Sequence, residues 1–120
     1  MACGFDKAVQ RTTGALKAVG FGIITEIDVK ETLKKKIDVD FRAYRILGAC
    51  NPRMAYEALN IEEKVGTMLP CNVIIQDAGD RKIEVAAIDP VASMQAIGNP
   101  SLLETAKRVR SMLESVVEGL

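Results

Sequence analysis

Tyr44-Arg45-Ile46-Leu47-Gly48-Ala49-Cys50-Asn51-Pro52 is the stretch on which the fold turns. An alternating, β-compatible run leads straight into Asn-Pro. Asparagine at a helix start accepts from backbone N–H groups that have no partner of their own, and proline is tolerated at the first helical position. The pattern predicts a strand over 41–50 that passes directly into a helix. Alternation places Tyr44, Ile46, Gly48 and Cys50 on one face and Arg45, Leu47 and Ala49 on the other.

Downstream, 71–77 and 82–88 alternate in the same way around Asp77-Ala78-Gly79-Asp80-Arg81, a hairpin signal. Asn60 with Glu63 reads as a capping box for one more turn before Gly66. Asp89-Pro90 and Asn99-Pro100 repeat the cap-plus-proline start. The second opens a last helix whose Leu102, Leu103, Ala106, Val109, Leu113, Val116 and Val117 form a broad apolar face, expected to lie across the sheet. Upstream, Phe5, Val9, Leu16 and Val19 recur at helical spacing over 6–19, and Gly20 ends the helix. Phe21, Ile23, Thr25 and Ile27 then give a strand with one apolar face, and Asp28 with Glu31 caps a short helix carrying Val29, Leu33 and Ile37. The expected fold class is α+β: a single domain over residues 1–120, a mostly antiparallel sheet with helices packed on one face.

At 120 residues the chain can bury one core without staples. Sixteen basic and sixteen acidic residues balance, so there is no electrostatic footprint for nucleic acid or an anionic membrane, and neither is an expected partner. Lys34-Lys35-Lys36 reads as a solvated helix face. No apolar run approaches the roughly 20 residues needed to span a bilayer. The absence of histidine removes Ser-His-Asp and Cys-His catalysis and every zinc site that needs imidazole. Without tryptophan, Phe5, Phe21, Phe41, Tyr44 and Tyr56 are too few for a base-stacking platform. The opening residues lack a signal-peptide pattern, and three cysteines do not form a closed disulfide framework; a cytoplasmic location is expected.

The segments GFGIITEIDV (Gly20–Val29), YRILGACNP (Tyr44–Pro52), LPCNV (Leu69–Val73), AIDP (Ala87–Pro90) and IGNP (Ile97–Pro100), with Phe41 and Arg42, resemble the prokaryotic family called domain of unknown function 302. The resemblance covers nearly the whole chain. It implies a TATA-binding-protein-like β-α-β4-α arrangement, a homodimer and no assigned activity. The fold's name implies no DNA binding, because fold does not fix function. The first strand of that arrangement is expected to be missing here, where only Met1–Gly4 precede the first helix. A missing strand would leave a sheet edge for a partner chain to cover.

The candidate site is Cys50, Asn51, Pro52, Cys71 and Asn72. If strand 41–50 returns antiparallel through 71–77, pairing 46 with 75 and 48 with 73 sets Cys50 opposite Cys71, with Cα atoms roughly 4.5–5.5 Å apart. The helix start at Pro52 favours an anion or thiolate nearby, and Asn51 and Asn72 add amide donors. Such a set suits a soft metal such as Cu(I) on Cys50 and Cys71, a sulfur-containing ligand or a small oxyanion. The competing expectation is that both cysteines are core and Asn51 only a cap. Three functions follow: a small non-enzymatic binding domain with cofactor unspecified, a thiol-dependent redox or sulfur-compound enzyme, or an assembly module with structural cysteines. Met54, Met68, Met94 and Met112 read as core or gap filler. Gly20-Phe21-Gly22 precedes a strand and is no dinucleotide fingerprint, Asp77, Asp80 and Glu84 match no calcium loop, and Asp89 is explained as a cap.

Overall fold

In the computed structural model, which describes residues 3–120, helix α1 (Phe5–Ala18) buries Ala8, Thr12 and Leu16, a stripe at i, i+4 spacing. Met1 and Ala2, part of the segment read ahead of α1, lie outside the described residues. Thr12 is fully buried, and its hydroxyl donates to the Ala8 carbonyl at 2.8 Å. A buried hydroxyl with a partner carries no desolvation penalty of the kind an unpaired one would. Gly20, at φ +93°, turns the chain out of the helix. A side chain would strain that left-handed conformation.

The chain continues as β1 (Gly22–Asp28), α2 (Val29–Ile37), β2 (Tyr44–Cys50), α3 (Pro52–Ile61), a 3-10 segment (Glu63–Met68), β3 (Cys71–Gly79), β4 (Lys82–Ala87), α4 (Pro90–Gln95), a 3-10 turn (Pro100–Leu102) and α5 (Leu103–Gly119). The strands form one antiparallel sheet in the order β1-β2-β3-β4. This is the expected α+β class. The core joins the inner sheet face, with Leu47, Ala49, Cys71, Val73 and Ile75, to α1 and α5, with Leu16, Val109, Leu113 and Val116. Leu103, expected on the apolar face of α5, is 41% exposed, and Thr105 is buried in its stead.

The local punctuation behaves as the residues dictate. Asp28 accepts from the Glu31 N–H at 3.0 Å, Asn51 from the Met54 N–H at 3.3 Å, and Asp89 from the Val91 N–H at 2.9 Å. Each supplies a donor at a helix start with the acceptor it otherwise lacks. Asn60 lies inside α3, and Glu62, which accepts from the Lys64 N–H at 3.0 Å, caps the 3-10 segment instead. Asp80 and Arg81 both take positive φ in the β3–β4 turn. That conformation matches the twist of a tight hairpin.

Two expectations about the sheet need correction. The β2–β3 ladder is antiparallel but slipped by one residue: Ala49 pairs with Cys71, Leu47 with Val73 and Arg45 with Ile75. Cys50 therefore is not opposite Cys71; it pairs with Gly22 of β1. Because side chains alternate with period two, the slip exchanges the faces, and Leu47 and Ala49 form the core. Arg45 tolerates the core side because it sits at the rim, its stem over apolar surface and its head reaching outward. Its guanidinium bonds Glu26, lies 3.7 Å from Asp28 and sits 5.7 Å from the Phe5 ring centroid, while Nε is buried with no hydrogen-bond partner among the described residues.

The second correction concerns β1. An irregularity between Ile23 and Thr25 breaks the apolar face expected through Phe21, Ile23, Thr25 and Ile27. Phe21 and Ile23 go to the core, whereas Ile24 is 61% and Ile27 47% exposed. On the outer face Gly48 is required: a Cβ there would stand 1.9 Å from Thr25 Oγ1 and 2.7 Å from Pro70 Cγ.

Candidate functional site

Where β2 ends and β3 begins, the sheet leaves a space that α3, α4 and α5 cover. Its wall includes Phe21, Cys50, Asn51, Met54, Cys71, Met94 and Thr105. The cavity volume is about 40 Å³. The lining is overwhelmingly apolar. Of its polar side chains, Thr105 Oγ1 donates to Glu57 Oε1 at 3.0 Å, and Asn51 Oδ1 accepts from the N–H of Met54 in α3.

Each wall residue is placed by a local feature. Cys50 is the last residue of β2, paired with Gly22, and Cys71 the first of β3, paired with Ala49, so both lie at strand ends. Asn51 is fixed by capping α3 and by Gly20, whose missing side chain makes room for it: a Cβ there would lie 3.2 Å from Asn51 Nδ2. Met54 follows within the first turn of α3. Met94 lies in α4, whose start is fixed by Asp89 and the buried ring of Pro90.

The structure thus brings together Cys50, Asn51 and Cys71. It does not bring Pro52 or Asn72. Pro52 is exposed at the start of α3, and Asn72, paired with Gly48, is exposed on the outer sheet face. Cys71 is buried, 6% exposed. Burial pushes its thiol pKa up, and the charge of neighbouring Cys50 adds to the rise. Cys50 and Cys71 are unbridged. Cys3 packs instead beside Ala8, Leu47, Ile75 and Ile83.

Met54 and Met94 are the wall residues that sequence reasoning assigned to filler. The available signal was positional: each lies in a helix begun by cap plus proline, next to a strand end. Elsewhere, Arg42 stacks on Phe41 at 4.4 Å and Tyr44 at 5.6 Å and donates to Gln76 at 2.9 Å, and Gln76 donates to Glu84. That cluster is a ladder of side chains satisfied by one another. Among the described residues no group of three His, Cys, Asp or Glu is placed to hold a metal, and no helix is long and apolar enough to cross a membrane.

A family model described as "Domain of unknown function DUF302" matches residues 1–120. The chain is also similar to the crystal structure of an uncharacterized conserved protein DUF302 from Bacillus stearothermophilus. The identity is 27% and the TM-score 0.89, over 98% of this chain and 91% of the other. No curated protein matches the chain.

Proposed function

This chain belongs to the domain of unknown function DUF302 family, and we propose that it is a small-ligand-binding domain whose site is the cavity at Cys50 and Cys71. One observation carries this: two thiols from adjoining strand ends line one apolar space. A dry wall strengthens whatever polar or ionic contact a ligand makes inside it. Holding is favoured over reacting, since Cys71 is buried and its raised pKa keeps it a thiol, the weaker nucleophile. The proposal places the domain in a reducing compartment such as the cytoplasm, where both thiols stay unbridged.

The test is native mass spectrometry of protein purified without oxygen or chelator. Extra mass on the folded chain that is absent from Cys50→Ala/Cys71→Ala is the expected result. The same mass on that variant, or none on the wild type, sinks the proposal.

A second part of the proposal is self-association. Ile27, Ile46, Ile74 and Ala86 stand in register across all four strands on the outer face. Ile27, on the edge strand β1, is 47% exposed. A second copy laid on this row would remove it from water, giving the homodimer.

A further inference from the structure

We propose that the cavity is a soft-cation site that takes Cu(I), held by the thiols of Cys50 and Cys71 together with the thioethers of Met54 and Met94. This rests on the binding function proposed above and names its ligand. Four sulfur-bearing side chains from β2, α3, β3 and α4 line a single space. Cys50 and Met54 stand four residues apart, and Cys71 and Met94 join them only through the return of β3 along β2 and of α4 over the sheet.

Size decides first. Pockets for organic ligands run to roughly 300–1,000 Å³. The space here, about 40 Å³, is that of a water or a single ion. Donor chemistry decides next. Calcium and magnesium need a shell of oxygens, and structural zinc takes thiolates and imidazoles. This wall offers neither a carboxylate nor an imidazole, and the chain has no histidine. An oxyanion would need several converging N–H or O–H donors, but Thr105 donates to Glu57 and the Asn51 amide is the remaining polar side chain on the wall. What remains is thiol and thioether sulfur, the combination that selects Cu(I).

One Cu(I) with two thiolates carries a single negative charge, which the free N–H groups at the start of α3, beside Cys50 and Asn51, favour. Binding is then an exchange: both S–H bonds break, their protons pass to solvent, and two sulfur–copper bonds form. Copper enters and remains as Cu(I), so no electron is transferred.

The experiment is an anaerobic titration with tetrakis(acetonitrile)copper(I) against the chromogenic chelator bicinchoninate, paired with copper K-edge absorption on the wild-type complex. One Cu(I) per chain with three or four sulfur neighbours is expected. Met54→Leu/Met94→Leu should weaken binding by at least about tenfold, the lower end of what loss of an outer-shell partner costs a metal site. Cys50→Ala/Cys71→Ala should abolish it. Two sulfur neighbours only, or full affinity in the methionine variant, overturns the four-sulfur set. The absorption measurement needs no variant, so a variant that fails to fold leaves the test intact. Failure to take copper from bicinchoninate overturns the proposal outright. The native mass of the purified chain then judges the binding function separately: a copper-free ligand lost with the cysteines keeps it, and a bare chain removes both.

Discussion

Among the glycines, Gly48 is the one most tightly packed against its neighbours. Thr25 and Pro70 occupy the space a side chain would need, and neither obstructing atom lies at the end of a long flexible chain. Gly48→Ala should lose about 1–3 kcal/mol in urea unfolding, as overpacking typically does. Adding Thr25→Ala, which removes the nearer clash, should recover part of it. Cys71 supports a pH prediction for the metal-free chain. Burial raises its folded pKa above the unfolded value, so the native state holds the proton more tightly. The stability this gives is fully present below the ordinary thiol pKa of about 8.5 and is lost as pH rises through the folded value. Unfolding measured from about pH 7 to 10, the range that brackets thiol titration, should show an alkaline decline that is smaller in Cys71→Ala. An equal decline in both would put its source elsewhere.

The elements are bounded by caps more sharply than by propensity. Asn51 is the most consequential of these, because it ends β2, starts α3 and packs against Gly20 at once. Asn51→Ala should cost about 0.5–2 kcal/mol in the same unfolding assay, and Asn51→Asp, which keeps the acceptor, much less. An equal loss in both would mean that packing of the amide, rather than its cap, matters. Strands are less well bounded. In β2 both faces are nearly equally apolar, Tyr44, Ile46 and Cys50 against Leu47 and Ala49, so alternation alone does not select the buried one. Arg45 shares the buried face, and its guanidinium lies over Phe5 and reaches Glu26 and Asp28 at the rim.

At the scale of the molecule, the sheet has two unlike faces. The inner one is sealed by α1 and α5, and the outer one carries the row Ile27, Ile46, Ile74 and Ala86. If two copies meet there, sedimentation should show a dimer for the wild type and a monomer for Ile27→Glu, whose exposed site leaves the fold unaffected. A wild-type monomer at every concentration would remove self-association from the proposal.

The residues read alone specify the α+β class, the β3–β4 hairpin and the starts of α2, α3 and α4, while the antiparallel return of β3 along β2 stood only as a condition. The specified features rest on contacts a few residues apart: an Asx side chain to the next turn's N–H, a proline where no donor is needed, a hairpin turn. The residues also point to Cys50, Asn51 and Cys71, because each adjoins a strand end. Tertiary structure alone decided the register, the face that Asn72 takes, and the arrival of Met54 and Met94 at the same cavity. A one-residue slip leaves every local pattern intact while exchanging the faces, so only packing of the whole inner face against α1 and α5 selects one register.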